Sequence, residues 1–117
     1  MREIKFRGKC KEKWLYGDFI HQDKFNRSMI KQDNYTAVVD VNTLGQYIGL
    51  KDKNGKDIYE GDIVKIEYIQ TTVIKAVIEY KGASFYGSTF ADDWELDEYC
   101  EVEVIGNIYD NPELLEE

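Results

Sequence analysis

Acidic and basic side chains gather with glycines in one stretch, GLKDKNGKDIYEGD at residues 49–62. It holds four acids, three lysines and three glycines in fourteen positions. Side chains of these types bind phosphate or a divalent metal only when their spacing is right. Counting positions therefore decides which chemistry this stretch can carry.

A phosphate-binding loop needs a glycine, four intervening residues, and then Gly-Lys followed by Ser or Thr. Counted from Gly49, the second glycine comes at Gly55, one position late. Asp57 stands where the hydroxyl residue should be, and its carboxylate would repel phosphate. The spacing therefore excludes this class of site.

A calcium loop that began at Asp52 would find suitable ligands there and at its third position, Asn54. Its sixth position must be glycine and is Asp57, and its twelfth should be a bidentate Glu and is Ile63. The stretch therefore does not predict a calcium site.

The same stretch has the chemistry of a β-hairpin, because Asn54-Gly55 supplies positive φ angles. Two forms are open: a two-residue turn, or a type I turn with Gly55 as a left-handed bulge. We favour the second, since it sets Asp52 opposite Lys56 rather than Lys53 opposite Lys56. Glu60-Gly61 is then a second turn that precedes a strand.

Other catalytic chemistry is sparse in this sequence. His21 is the only histidine, which excludes a metal cluster built on several imidazoles. Cys10 sits between lysines in a predicted hairpin tip, so we do not assign it as a nucleophile. The adjacent acids Asp92 and Asp93 would point apart on an extended segment. We predict no catalytic residues, no metal, no cofactor and no enzymatic activity.

Charge is unevenly distributed along the chain, whose net charge is −8. Residues 1–81 carry 15 basic and 12 acidic side chains, a balance of +3, whereas residues 82–117 carry eleven acids and no base. Apolar residues alternate with these acids, so we interpret them as the solvated face of strands. A protein-binding surface in this acidic part is the alternative.

Two segments are candidates for binding a partner. The first is the acidic, aromatic-containing segment 92–104, which would contact a protein partner or a second copy of the chain; its candidates are Asp92, Asp93 and Trp94. The alternative is a nucleic-acid-binding module that uses the basic N-terminal hairpin, with the candidates Arg7, Lys9, Trp14 and Tyr16. We predict a non-enzymatic protein-interaction module as the first of these two hypotheses.

Alternating apolar and polar residues predict an antiparallel, mainly β fold. A first hairpin places Ile4 and Phe6 on one face and offers Trp14 and Tyr16 as apolar positions. Residues 21–34 show no clean period and predict an irregular connection, and 42–45 predict a turn. Alternating strands then follow, and their predicted inward positions are Val64, Ile66, Tyr68, Ile74, Ala76, Ile78 and Tyr80.

At the C-terminus, Asn111 followed by Pro112 predicts the N-cap and first position of one short helix. No apolar run approaches the roughly 20 residues of a membrane span, and no secretory signal precedes the first hairpin. The two cysteines then predict free thiols and a cytoplasmic protein.

Three stretches resemble the YopX family of phage and prophage proteins. They are MREIKFRGK followed by WLYGDFI, QYIGLKDKNGKDIYEGDIV at 46–64, and EVIGNIYDNPELL at 103–115. The resemblance implies an SH3-like barrel over 46–117 with a β-rich region at 1–45 packed on it as one compact unit. It implies an intracellular protein of the host cell and assigns no activity or catalytic residue.

Overall fold

The computed structural model describes residues 4–22, 27–68, 73–81, 84–88, 93–95 and 100–115. These residues form ten strands and one 3-10 turn, and the chain divides into an N-terminal unit, Met1–Gly49, and a C-terminal unit, Leu50–Glu117. The elements are β1 (Phe6–Cys10), β2 (Lys13–Gln22), β3 (Arg27–Gln32), β4 (Tyr35–Lys51), β5 (Asp57–Tyr59), β6 (Asp62–Tyr68), β7 (Val73–Lys81), β8 (Ser84–Ser88), β9 (Asp93–Glu95), β10 (Cys100–Asn107) and the turn Pro112–Leu115.

Antiparallel pairing organises the N-terminal unit. Strand β1 pairs with β2 on one side and with β4 on the other, and β3 pairs with both β2 and β4. The buried side chains between these strands are Leu15, Ile30 and Val39, and the apolar side chains packed against them are Phe6, Cys10, Phe19, Ala37 and Leu44. Each strand thus contributes alternate residues to one small core, as period-2 alternation requires.

Two glycines let the strands of this unit approach closely. A Cβ atom at Gly17 would lie 2.0 Å from the carbonyl oxygen of Lys31, and one at Gly8 would lie 2.7 Å from a methyl carbon of Val39. Real side chains do not fit at such distances. Glycine is therefore required at Gly17, where the obstacle is backbone rather than a side chain.

The predicted irregular connection at 21–34 was wrong for the described residues; residues 23–26 lie outside them. Strand β2 continues to Gln22 and β3 begins at Arg27, with Ser28 and Ile30 buried and Arg27 and Lys31 exposed. Alternation is present, but only one of the two buried residues is apolar, which conceals the period. Asp33, at φ 54°, forms the tight turn into β4.

The predicted turn at 42–45 was also wrong, because these residues lie within β4. The ladder with β1 shifts there: Arg7 faces Gly45, whereas Lys9 faces Asp40. Asp40 holds the extra residues through its side chain, which accepts the Asn42 N–H at 3.0 Å. The turn chemistry of the sequence was therefore used for a bulge rather than for a reversal.

The C-terminal unit contains an antiparallel five-stranded sheet in the order β10-β6-β7-β8-β9. Its predicted inward positions Val64, Ile66, Ala76 and Ile78 are buried, and Ile74 is half-buried. Tyr80, at the end of β7, is 51% exposed, so its inward prediction was wrong; the side chain of Tyr68 lies outside the described part. Ile63 is buried too, so β6 is covered on both faces at its start. Among the described residues no pairing joins β9 to β10.

The predicted C-terminal helix is a single 3-10 turn, Pro112–Leu115. The backbone carbonyl of Asn111 accepts the Leu114 N–H at 3.1 Å, but its side-chain Oδ1 accepts the Asn107 N–H at 3.2 Å instead of capping the turn. Asn111 and Pro112 thus hold the predicted N-cap and first positions, but of a 3-10 turn rather than of the predicted helix. Four residues are too few to propagate an α-helix.

Candidate nucleic-acid interface

The stretch 49–62 forms the bulged hairpin turn that its sequence favours. The Gly55 N–H donates to the Asp52 carbonyl at 3.0 Å, and the Asp52 N–H donates to the Lys56 carbonyl at 2.7 Å. Gly55 has a φ of 82°. These bonds set Asp52 opposite Lys56 and confirm the second of the two turn forms.

The carboxylate of Asp52 is a structural acceptor. It is only 7% exposed and accepts backbone N–H groups from Asn54 at 2.8 Å, Lys56 at 2.9 Å and Val104 at 3.0 Å. Burial alone would raise the pKa of Asp52, but these three donors and the Lys56 charge lower it overall. Both oxygens of this acid are thus engaged by the fold.

The second turn of the stretch is also structural. Gly61 has a φ of 87°, and the buried Asp62 accepts the Tyr59 N–H through Oδ2 at 2.8 Å. The Gly61 N–H donates to the Ile78 carbonyl at 2.9 Å, and the Gly61 carbonyl accepts the Ile108 N–H at 3.0 Å. The stretch is therefore a pair of turns, and the candidate site has to lie elsewhere.

A row of cations lies on the outer side of β1. Phe6 and Cys10 pack on the core, so the alternate residues Lys5, Arg7 and Lys9 take the other face. The β1–β2 register sets Arg7 opposite Tyr16 and Lys9 opposite Trp14. We call this surface the cationic–aromatic strip; its members are Lys5, Arg7, Lys9, Trp14, Tyr16 and Tyr47.

The cations of the strip lie against its aromatic rings. The Arg7 Cζ is 4.7 Å and the Lys9 Nζ 5.8 Å from the ring centroid of Trp14. The Lys5 Nζ is 4.9 Å from the ring centroid of Tyr47. These separations are within the range of cation–π attraction. Two cations therefore share one indole, and a third sits on a separate ring.

Exposure differs within the strip. Arg7 is 5% exposed, while Tyr16 is 43% exposed and Lys5, Lys9 and Trp14 are half-buried. Tyr47 is also 5% exposed. Arg7 and Tyr47 thus belong to the supporting layer, and Lys5, Lys9, Trp14 and Tyr16 are accessible to a ligand. Tyr16 had been expected to be an inward apolar position; Leu15 takes that position instead, because β2 turns its odd-numbered residues toward the core.

Hydrogen bonds from neighbouring strands fix the backbone of the strip. The Tyr16 N–H donates to Gln32 Oε1 at 2.9 Å. The Lys9 N–H donates to Thr43 Oγ1 at 2.8 Å, and that hydroxyl donates to the Asp40 carbonyl at 2.6 Å. The β4 bulge therefore supplies a side-chain acceptor for β1.

Four predicted binding residues, Arg7, Lys9, Trp14 and Tyr16, are brought together in this strip. Tyr47 was missed, because it lies about 40 residues along the chain and joins β1 only through pairing with β4; its N–H donates to the Lys5 carbonyl at 2.9 Å. The local sequence around Tyr47, QYIGL, does not predict this contact.

The acidic candidates lie elsewhere. Asp92 is outside the described residues, and the backbone of Asp93 and Trp94 forms β9, paired with Ser88 and Gly87 of β8. Their prediction as contact residues stays a prediction. Within the described ranges, no group of three His, Cys, Asp or Glu side chains could hold a metal ion.

That His21 and Cys10 take no part in catalysis also stays a prediction. The His21 ring centroid is 6.4 Å from that of Phe19, and Cys10 has a free thiol that packs on the core. No helix in the part of the chain that the structure describes is long and apolar enough to cross a membrane.

Comparisons with known proteins concern the family and the fold of this chain. A family model described as YopX protein matches residues 5–116. The crystal structure of protein EF1440 from Enterococcus faecalis is similar with a TM-score of 0.59 and 24% sequence identity, covering 99% of this chain and 100% of that one. At this identity the likeness concerns the fold. No curated protein matches the chain.

Proposed function

The chain belongs to the YopX family, and we propose that it is a non-enzymatic interaction module that binds single-stranded nucleic acid through the cationic–aromatic strip. The observation that carries the proposal is the position of Arg7 and Lys9 at one indole, that of Trp14. A surface that alternates cations with aromatic rings offers both interactions that a single strand needs, contact with phosphate and stacking with bases.

The charge distribution supports this choice. The N-terminal unit carries nine basic and six acidic residues, a balance of +3, although the whole chain has a net charge of −8. An anionic ligand is therefore attracted to this unit and repelled by the rest of the chain, which carries −11. Binding should be localised to this unit and should weaken as the salt concentration rises.

Within the strip the cations have different roles. Lys9 lies in β1 and Lys5 directly precedes this strand; four residues of extended backbone separate them by about 13 Å. They contact phosphates, while Trp14 and Tyr16 stack with bases. Arg7, buried against Trp14, holds the indole in place and is a positioning residue.

Single-stranded rather than duplex nucleic acid is the ligand that suits the strip. In a duplex the base faces are stacked on each other and cannot be reached by an aromatic ring. Duplex-binding proteins commonly make about 6–10 phosphate contacts. The strip has three cations, one of which is buried, so stacking has to supply a large part of the affinity.

The test is fluorescence anisotropy of a labelled single-stranded oligonucleotide, measured between about 50 and 200 mM salt. Lys9→Glu should abolish binding at the higher salt concentration. Lys65→Glu, the same change at an exposed strand position of the C-terminal unit, is the matched control and should leave binding unchanged. Absence of binding by the unmodified protein at low salt would overturn the proposal, as would an equal loss in both variants.

A second candidate function is protein recognition through the acidic segment 92–104. The observation that favours it is the position of β9, which is the last strand of the C-terminal sheet among the described residues. An edge strand can pair with a strand of a partner. A pull-down from host cells should retain a protein that Asp93→Lys loses; retention by both forms would count against this candidate.

Three further expectations stay proposals. An SH3-like barrel for the C-terminal unit is supported by the antiparallel order β10-β6-β7-β8-β9. Production from a phage or prophage genome and a cytoplasmic place in the host cell are supported by the family resemblance. Cell fractionation of the host checks the last of these.

A further inference from the structure

A cleft of about 420 Å³ opens at the tip of the β1–β2 hairpin. It is wholly within the N-terminal unit. The residues that line it come from the hairpin tip, from β2 and from the start of β4; they are Cys10, Lys11, Glu12, Lys13, Leu15 and Tyr35. None of these residues was assigned a role in the function proposed above.

The lining combines an apolar floor with a charged rim. Leu15 is fully buried and Cys10 half-buried, and both belong to the core of the unit. Tyr35 presents an aromatic ring that is 57% exposed. Lys11 and Lys13 are exposed at the rim, and Lys11 has a φ of 59°, which marks the tight turn between the two strands. An apolar floor beside the Tyr35 ring favours a ligand with a flat aromatic group, and the two lysines favour a ligand that is an anion.

We propose that this cleft binds a nucleotide, with the base against the Tyr35 ring and the phosphate at Lys11 and Lys13. The proposal rests on the proposed function, which it deepens by naming a pocket for one unit of the ligand. A volume of about 420 Å³ is within the range of small-molecule sites, which is about 300–1,000 Å³.

The cleft lies on the opposite face of the hairpin from the cationic–aromatic strip. Lys9 pairs with Trp14 on the outer face, and the next pair along the hairpin, Cys10 with Lys13, lines the cleft on the core face. A single strand that follows the strip has to pass round the hairpin tip to reach the cleft. There one base can turn out of the stack and enter it, which is inexpensive in a strand that is not paired.

Glu12 makes the cleft selective for charge. Two lysines and one carboxylate line the rim, so its local balance is +1. A monophosphate suits this balance, whereas a triphosphate would place several negative charges beside the Glu12 carboxylate. The ligand is therefore a mononucleotide or the nucleotide unit of a strand rather than a nucleoside triphosphate.

The experiment uses Cys10 as a reporter in the full chain carrying Cys100→Ser, so that Cys10 is the only cysteine. Its alkylation rate is measured alone, with adenosine monophosphate, with a short single-stranded oligonucleotide, and with inorganic phosphate. We expect at least fivefold slower alkylation with one or both of the first two ligands. Tyr35→Ala should remove the protection, and Tyr80→Ala, at a similarly exposed tyrosine of the C-terminal unit, should not.

The outcomes separate this proposal from the one on which it rests. Protection by the mononucleotide identifies a free nucleotide as ligand, and protection by the oligonucleotide alone identifies a base within a strand; both support the pocket. Unchanged alkylation despite oligonucleotide binding by anisotropy overturns the pocket and leaves the proposed function intact. Equal protection by inorganic phosphate overturns recognition of the base. Protection by the mononucleotide without any oligonucleotide binding overturns the proposed function and leaves a nucleotide pocket.

Discussion

The Asp52 carboxylate accepts the backbone N–H of Val104 at 3.0 Å, across 52 positions of sequence. Beside it, the Lys53 N–H donates to the Val102 carbonyl at 2.9 Å. The two hydrogen bonds engage alternate residues of β10, as a neighbouring strand would, but their partners belong to a hairpin turn. The outer edge of β10 is thereby covered where it would otherwise offer free backbone groups to another chain.

Asp52→Asn should lower the free energy of unfolding by about 1.5–3 kcal/mol, since the hydrogen bonds to a charged acceptor are lost or weakened. Asp57→Asn is the control, because Asp57 forms an exposed ion pair with Lys51 at 2.5 Å. Such pairs contribute about 1 kcal/mol or less. Urea unfolding measures both. Equal losses in the free energy of unfolding would show that the Asp52 hydrogen bonds contribute no more than the Lys51–Asp57 ion pair.

The stability of the protein should fall in acid because of Asp52. Its pKa is lower in the folded protein than the ordinary value of 3.8, so the contribution is fully present above that value. It is lost as the pH falls through the lower folded pKa. The stability difference between the unmodified protein and Asp52→Asn should therefore shrink below about pH 4. A difference that stays constant from pH 6 to pH 2 would contradict this reasoning.

Gly55→Val should destabilise folding by about 1 kcal/mol or more, because a β-branched residue resists a positive φ. A Cβ atom at Gly55 meets nothing within 4 Å, so the cost is backbone strain alone. Gly55→Asn is the matched variant and should cost less, since asparagine tolerates the left-handed region. Thermal unfolding ranks the two. Asparagine as harmful as valine would exclude strain as the cause.

Gly17→Ala should cost about 3 kcal/mol or more, because one added carbon would overlap the Lys31 carbonyl and push β2 away from β3. Gly55→Ala is the comparison, as its added carbon enters open space. Far-UV circular dichroism in urea measures both. A Gly17→Ala protein as stable as the native one would exclude close contact of β2 with β3 at Gly17.

Arg7→Lys should weaken oligonucleotide binding about fivefold, the value of roughly 1 kcal/mol of lost stacking on Trp14. The charge is kept, so the slope of log K against log salt should not change. Lys9→Gln, which removes a phosphate contact, should reduce that slope by about 0.7. Anisotropy across the salt series measures both quantities. A changed slope in Arg7→Lys would make Arg7 a phosphate contact instead of a positioning residue.

The parts of the fold that depend on neighbouring residues could be predicted from the sequence. The bulged turn at Gly55 follows from local φ preferences and from the charges of Asp52 and Lys56. The inward positions of β6 and β7 follow from plain alternation. The pairing of Arg7 and Lys9 with Tyr16 and Trp14 needs only a hairpin, so these members of the strip were predicted together.

The remaining features depend on contacts between distant segments. Tyr47 joins Lys5 through β4, and Asp52 reaches Val104, and neither contact has a local signal. Strand β3 was missed because a buried serine, Ser28, interrupts its apolar pattern. The cleft at the hairpin tip was missed because Tyr35 enters it from another strand.

The two hydrogen bonds of Gly61 have a consequence for the order of folding. Its N–H needs Ile78 in place and its carbonyl needs Ile108, so this one residue joins segments 17 and 47 residues away. Closing loops of this length is slow, and folding dominated by such contacts takes milliseconds to seconds. We expect the β6–β7 hairpin to form first and β10 to join it last. Synthesis must therefore have passed β10 before the C-terminal unit can become stable.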